Sequence, residues 1–380
     1  MRWLAVLSTH LDLDRIRAAR RVIDPIFLNT PLYQCGSLEH RLGYTDWSYL
    51  PIASSPATIR ICATSRGAIT VAGAGGTQEQ DLRDRGMMKI AVASCTKISD
   101  VPKQPVWAEI HKEKPDVLLL VGDNVYLRYD NHSDPAKLEP GLGRRYAEQF
   151  AQPQFKALIS SLKDRGAPVI AIYDDHDFLG NNRYGGDVSP ALRTAARAAF
   201  VNAFQPKQTG KAVYSVARLG LVDIVTLDGR FYRKAPGPLQ GSRPDAFLGA
   251  RQWKWLEKKL AQPTEAKYTI IMSGSTFHKF GDESWEQYPA AFNRLHGLIK
   301  GRSGTFVLSG DIHKNTVYDD DGVMEIVTSG AARLGITNRG PRKNYGILTF
   351  DDEHMQVDLR SLQVHGRLKF TVPLSAWALP

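Results

Sequence analysis

The sequence predicts a mixed, layered α/β domain over residues 88–380. Two observations lead to this class: apolar, strand-like runs first alternate with helices, and strands dominate the later part. A third observation is that three buried strands run into acidic clusters, at residues 122–126, 173–177 and 309–313. Open α/β sheets keep their binding sites at the carboxyl ends of their strands, so these clusters mark a candidate site.

Strands and helices alternate through the first half of this domain. Strands are predicted over the apolar runs at residues 89–93, 116–121 and 168–172. Ser189 followed by Pro190 has the N-cap and first-turn chemistry of a helix start. A longer polar loop is predicted over residues 128–143. The predicted helices cover residues 105–113, 144–150, 154–163 and 190–204.

Strands dominate the second half. Trp253, Leu256 and Leu260 recur at helical spacing, so residues 249–260 are predicted to form a helix that buries these three side chains. Another helix is predicted over residues 290–300. The predicted strands cover residues 212–218, 221–227, 268–272, 305–308, 315–318, 323–328, 345–350, 354–359 and 368–372.

Composition narrows the class of protein. The chain has 380 residues, 43% hydrophobic and 23% charged, which is ordinary globular material. No apolar run approaches the roughly 18 residues of a membrane span, and the N-terminus does not fit a signal peptide, so a cytoplasmic protein is expected. The formal charge of +10 suits an anionic substrate or a generally basic surface, and no nucleic-acid motif accompanies it. Three cysteines argue against a disulfide framework.

Residues 1–87 differ from the rest, because no lysine precedes Lys89. Residues 14–43 are predicted to form two helices, and this piece resembles the opening of pyridoxal-phosphate-dependent serine/threonine dehydratases. The Schiff-base lysine that those enzymes need is missing, so no pyridoxal phosphate is expected. We predict a poorly structured or partly helical extension without a site of its own. It is interpreted as a fusion or an over-extended gene model, with Met87 or Met88 as the natural start.

The acidic strand ends indicate a bound cation, because carboxylates fixed in one cleft repel each other. Asp123 follows a glycine at the end of its strand, and its carboxylate can bridge two cations. Tyr126 is close enough to ligate the same centre as a phenolate beside a strongly acidic metal such as ferric iron; the alternative is a core or rim aromatic. Cys95 is either a soft thiolate ligand or a buried, inert cysteine.

The other two clusters add further candidates. Asp174 and Asp175 are adjacent and point in opposite directions on an extended chain, so one of them is predicted as a ligand, with Asp175 preferred. His176 is predicted to face the substrate, as a proton donor to the leaving oxygen or as a clamp on phosphate; the alternative is a structural histidine. Asp311 and His313 share one side at a spacing of two, which suits joint ligation.

Six motifs occur in a fixed order along the chain. They are residues 94–95, 122–126, 174–177 with 181–182, 227–230 with 232–233, 248–249 with 252 and 255–256, and 309–313. In these motifs the region from Met88 to about Leu374 resembles the PhoD-like alkaline phosphatases, a branch of the calcineurin-like metallophosphatases. Tyr173 stands where many relatives have Trp, and Gly229 stands where they have Thr.

The resemblance implies a four-layer αββα sandwich with a binuclear metal centre, typically ferric iron and calcium. It implies a phosphomonoesterase or phosphodiesterase in which a metal-bound hydroxide attacks phosphorus in line. A catalytically silent anion-binding protein that retains the fold is the alternative. The ligands carried over by motif are Cys95 and Tyr126 on iron, Asp123 as the bridge, Asp174 or Asp175 on the second metal, and Asp311 with His313.

Two further residues keep open roles at this point. His278 is the one candidate near the motifs for an additional histidine of the wider superfamily. Arg230 is interpreted either as a contact to phosphate or as a structural partner of Asp228. The sequence leaves the natural substrate and the oligomeric state open.

Overall fold

The computed structural model describes residues 62–63, 69–70, 86–127, 133–204, 213–278, 283–334, 341–362 and 367–377. The chain divides into two compact units, residues 1–81 and 82–380. In the first unit the described residues are Cys62–Ala63 and Ile69–Thr70, which pair as short antiparallel strands. The predicted helices over residues 14–43 lie outside the described residues, and the domain start at Met88 stays a prediction.

Twelve strands build two sheets in the second unit. In chain order they are β1 (Met88–Ala93), β2 (Val117–Val121), β3 (Val169–Ile172), β4 (Ser215–Leu219), β5 (Val222–Thr226), β6 (Tyr268–Ser273), β7 (Thr305–Ser309), β8 (Thr316–Asp320), β9 (Val323–Val327), β10 (Asn344–Phe350), β11 (His354–Ser361) and β12 (Leu368–Pro373). Arg333–Leu334 and Pro341–Arg342 form a separate antiparallel pair.

Six α-helices lie in the described part of this unit. They are α1 (Val106–Lys112), α2 (Pro135–Ala151), α3 (Pro153–Asp164), α4 (Pro190–Phe204), α5 (Ala250–Leu260) and α6 (Pro289–Ile299). The loop predicted over residues 128–143 is wrong from Pro135 onward, because α2 begins there. Asp134 caps this helix through its side chain, Pro135 suits the first turn, and buried Leu138 and Leu142 anchor the segment that looked polar overall.

Each sheet has a parallel centre and antiparallel flanks. The first has the order β12-β11-β10-β1-β2-β3, with β1, β2 and β3 parallel. The second has the order β8-β9-β7-β6-β5-β4, with β9, β7, β6 and β5 parallel. The carboxyl ends of parallel strands meet at one edge of a sheet, so the loops after β1, β2 and β3 are neighbours, as are those after β5, β6, β7 and β9.

The two sheets pack face to face, with helices on their outer sides. Side chains of β6 alternate between two cores: Tyr268 packs on Phe350 of the first sheet, with ring centroids 5.0 Å apart. Ile271 faces the other way, into a core that contains Trp253 of α5 and Leu295 of α6. The side chains of α1 to α4 belong to the core that includes the first sheet. The predicted four-layer αββα sandwich is confirmed.

Candidate metal centre

Three overlapping groups of potential ligand atoms lie at the carboxyl ends of the parallel strands. They are Cys95, Asp123 and His313; Asp123, Asp175 and His176; and Asp174, Asp175 and Asp311. Within each group the ligand atoms lie within 4.8 Å of one another. Asp123 belongs to two groups and Asp175 to two, so the three form one continuous cluster. It draws on the loops after β1, β2, β3 and β7, which are far apart in the sequence.

The backbone turns sharply as it enters this cluster. Cys95, Asp123, Asp311 and His313 all have positive φ, at 60°, 52°, 66° and 54°. Such a conformation costs a non-glycine residue about 1–3 kcal/mol, and it persists where the surrounding structure holds it in place. The strand-like alternation from Asp311 to His313 is therefore broken, and the two fall in different groups. The expectation that they ligate one cation jointly is not supported by this geometry.

Asp174 and Asp175 belong to the same candidate ligand group, although on an extended chain they would point in opposite directions. β3 ends at Ile172, so the following residues leave the extended conformation on which that argument rested. The buried carboxylate of Asp177 stabilises the turn, since it accepts hydrogen bonds from the Asp174 amide at 2.7 Å and the Asn124 amide at 2.9 Å. The two acidic strand ends are thereby tied together, and both carboxylates face Asp311.

One half of the cluster offers sulfur, nitrogen and oxygen donors. The Tyr126 hydroxyl donates to Asp123 Oδ2 at 2.9 Å and lies 3.4 Å from His313 Nε2. Cys95 Sγ lies 3.4 Å from the same carboxylate oxygen and 3.2 Å from Ser329 Oγ. Burial raises the pKa of the Cys95 thiol to about 11 and lowers the pKa of His313 to about 4. The imidazole is thus neutral, with a lone pair for a metal, whereas the thiol needs a cation to displace its proton.

The other half of the cluster, formed by Asp174, Asp175 and Asp311, is made of carboxylates alone. Burial, reinforced by the neighbouring carboxylates, raises the pKa of Asp123 and of Asp311 well above the usual range. Burial also acts to raise the pKa of Asp175, but the Arg230 charge, the neighbouring His176 and a hydrogen bond from the Asn182 amide act to lower it, and the net shift is downward.

A buried oxygen in this half lacks a partner. Asp174 Oδ2 is buried without a hydrogen bond to any of the described residues. Unpaired buried carboxylate oxygens are costly, and a hard cation satisfies them directly. The donor chemistry of the cluster therefore fits a metal centre.

The side chain of Arg230 lies in a buried ion-pair network with Asp174 and Glu283. Its guanidinium is fully buried, and it donates to Asp174 Oδ1 at 2.5 Å and to both carboxylate oxygens of Glu283 at 2.8 Å. Asp228 is contacted through the Arg230 backbone amide, at 3.2 Å, so the side-chain pairing with Asp228 is wrong. The guanidinium is fully engaged inside the protein, so direct contact of Arg230 with phosphate is not supported.

His278 pairs with Glu325. It is buried, its backbone amide donates to Glu325 Oε2 at 2.8 Å, and its Nδ1 lies 3.2 Å from the same oxygen. It belongs to none of the ligand groups found among the described residues. The interpretation of His278 as a further site histidine is therefore not supported.

Sequence patterns missed two residues that contact the cluster, Arg333 and Ser329. Arg333 Nε lies 3.2 Å from His313 Nε2, its guanidinium lies 4.8 Å from the Tyr126 ring centroid, and it also pairs with Asp100 at 2.6 Å. Ser329, which follows β9, contacts Cys95 and accepts from the His313 amide at 2.9 Å. No local motif marks either residue, because tertiary folding alone brings them to the cluster.

His176 is the partly exposed member of its ligand group, in which Asp123 and Asp175 are buried. Its ring centroid is 4.1 Å from that of Tyr126, and its backbone amide donates to Asp175 Oδ1 at 2.8 Å. Burial lowers the pKa of His176, so its ring is neutral near pH 7. A neutral imidazole still carries one N–H that can donate to a phosphoryl oxygen.

A four-layer αββα sandwich with clustered candidate metal ligands at its strand ends supports a metal-dependent phosphoesterase as the class of this protein. A profile of the PhoD-like phosphatase family matches residues 90–372. The chain therefore belongs to the PhoD-like phosphatase family and is a phosphoric ester hydrolase.

The chain is similar to solved structures of phosphatases. A structure of PhoD superposes with a TM-score of 0.55 at 20% identity, covering 75% of this chain and 68% of that chain. A dimetal phosphatase from Danio rerio gives a TM-score of 0.48 at 10% identity, covering 76% of this chain and 99% of that one. No curated protein matches this chain. Within the described residues, no helix combines the length and apolar character that a bilayer crossing requires.

Proposed function

We propose that this enzyme hydrolyses small phosphate mono- or diesters at a binuclear metal centre. The observation that carries the proposal is the overlap of the three ligand groups, in which Asp123 belongs to two and Asp175 to two. A carboxylate that belongs to two ligand groups can bind two neighbouring cations at once. The proposed ligands are Cys95, Asp123, Tyr126, Asp174, Asp175, Asp311 and His313.

We propose that the two metals differ, with ferric iron on one side and calcium on the other. Cys95, Tyr126 and His313 supply thiolate, phenolate and imidazole, which suit a transition metal. Asp174, Asp175 and Asp311 supply oxygen alone, which suits a hard cation such as Ca²⁺. When bound, such cations lower the pKa of a water molecule and offset the charge of the phosphoryl group.

The chain's own residues are proposed to orient the substrate. His176 borders the cluster with a neutral ring beside Tyr126. It is proposed to donate its N–H to a phosphoryl oxygen or to the leaving oxygen. Arg333 brings a positive charge next to His313 and the Tyr126 ring, where a guanidinium can attract a phosphate group before reaction. The net charge of +10 favours the approach of such an anion.

Hydrolysis of p-nitrophenyl phosphate and of bis(p-nitrophenyl) phosphate, with and without a chelator, tests this function. We expect hydrolysis of at least one ester, loss of activity after prolonged chelation, and recovery on adding back metal. Activity that survives complete removal of metal contradicts the proposal. A protein that binds inorganic phosphate and metal but hydrolyses neither ester supports the alternative, a silent anion-binding protein that retains the fold.

A further inference from the structure

A buried network of alternating charges lies behind the carboxylate half of the cluster. Arg230 joins Asp174 on one side to Glu283 on the other. Its Nη2 also donates to Ser275 Oγ at 3.0 Å, and Arg233 donates to the same hydroxyl at 2.7 Å. The Arg230 side chain is fully buried, and 11% of the Glu283 side chain is exposed. Nothing in the proposed ligand set or in the substrate-orienting residues explains why the fold maintains these charges.

The network leaves Asp174 with a single available oxygen. Oδ1 accepts from Arg230 Nε at 2.5 Å, whereas Oδ2 has no hydrogen-bond partner among the described residues. The side chain also lacks room to turn. A Cβ added at Gly274 would lie 2.5 Å from the Asp174 carboxyl carbon, and one added at Gly122 would lie 2.6 Å from its Cβ. Asp174 is therefore packed between two glycines, with one oxygen bonded and the other free.

We infer that Arg230, anchored by Glu283, is a positioning residue that holds Asp174 so that Oδ2 faces the second cation. The inference rests on the proposed function, which places a hard cation among Asp174, Asp175 and Asp311. Arginine suits this role because its planar fork donates to three partners at once, whereas lysine presents one point charge.

Arg230→Lys tests the role of the fork while keeping the charge. We expect affinity for Ca²⁺ to fall by about 10–100-fold, the usual effect of losing a group that orients a metal ligand. The metal held by Cys95 and His313 is expected to remain at full occupancy. Equilibrium dialysis of the purified holoenzyme against graded Ca²⁺, with the content of both metals measured by mass spectrometry, separates the two sites.

Glu283→Gln is the second variant, because it leaves Arg230 and Asp174 in place and removes only the anchoring charge. We expect it to weaken Ca²⁺ binding by about tenfold. Arg360→Lys is the matched control: Arg360 also pairs with a buried carboxylate, Asp358, but far along the chain in β11. The control is expected to bind both metals as the wild type does.

The outcomes separate this inference from the proposed function. If the wild type binds Ca²⁺ and folded Arg230→Lys and Glu283→Gln bind it equally well, the network is merely structural and the inference is overturned. If the wild type itself binds no Ca²⁺, the proposed second metal is wrong and the inference falls with it. Selective loss of Ca²⁺ in both variants supports the positioning role, provided that they keep the metal held by Cys95 and His313. The Arg360→Lys control must keep both metals and its melting temperature.

Discussion

Asp123→Asn is expected to change both the catalytic activity and the stability of the metal-free protein. Asp123 belongs to two ligand groups, and its Oδ2 lies 2.9 Å from the Tyr126 hydroxyl and 3.4 Å from Cys95 Sγ. An amide cannot bridge two cations as a carboxylate does, so the variant is expected to lose both the bridge and most of the activity. Charge stabilisation by metals is worth several kcal/mol, and about 4 kcal/mol corresponds to roughly a 10³-fold loss in kcat.

The same substitution is expected to stabilise the metal-free protein. Burial and neighbouring carboxylates raise the pKa of Asp123, so its ionisation above the unfolded value near 4 opposes folding. Asparagine cannot ionise, so the variant gains stability at pH 7–8 and gains nothing near pH 3. We expect a gain of about 1 kcal/mol, typical of relieving a functional site, or about 2 °C in melting temperature.

The assay combines steady-state kinetics on the metal-loaded protein with thermal melts after chelation. Asp116→Asn is the matched control, since Asp116 precedes β2, the strand that Asp123 follows, and accepts from the Lys89 amide at 2.8 Å away from the cluster. The control is expected to keep full activity. Retention of wild-type activity by Asp123→Asn, or a lower melting temperature of its metal-free form, refutes the reasoning.

Three further changes test other parts of the structure. Tyr126→Phe removes the hydroxyl that donates to Asp123, so kcat is expected to fall about 10–100-fold with little change in melting temperature; unchanged kinetics contradict this role. Gly274→Ala places a methyl group 2.5 Å from a buried carboxyl and is expected to cost about 1–3 kcal/mol in urea unfolding, whereas Gly297→Ala, which meets nothing within 4 Å, is expected to cost nothing. Asp358→Asn loses hydrogen bonds from two arginines that, against the effect of burial, lower the pKa of this carboxyl. The free energy of unfolding is expected to fall by about 1–3 kcal/mol at pH 7, and this difference from the wild type should shrink as pH falls below about 4. A difference that persists at pH 2 contradicts the role of the ionised Asp358 carboxylate.

Strand positions and their acidic ends were predictable because they are local. Apolar runs over residues 89–93 and 116–121 become β1 and β2, and the acidic residues that follow them lie at one sheet edge. Because loops that follow parallel strands meet at one sheet edge, the sequence predicts that Cys95, Asp123 and His313 lie close together, and they form one ligand group. The same local approach missed the start of α2, because Pro135 within a polar stretch was interpreted as part of a loop.

Geometry within the site was less predictable. Asp174 and Asp175 would diverge on an extended chain, but the turn held by Asp177 places both in one group. The sequence suggests Asp228, two residues away, as a partner of Arg230, but the guanidinium pairs with Glu283, which lies 53 residues away. Long-range charge pairing of this kind leaves no local pattern, and only the folded chain reveals it.

Metal content is the most direct test of the central claim that these side chains hold two cations. Inductively coupled plasma mass spectrometry on the purified wild type is expected to find two metal ions per chain, one a transition metal and one a hard divalent cation. Asp123→Asn purified in parallel is expected to lose both in large part. A wild type that hydrolyses phosphate esters without stoichiometric metal, or an Asp123→Asn variant with a full complement, contradicts the account.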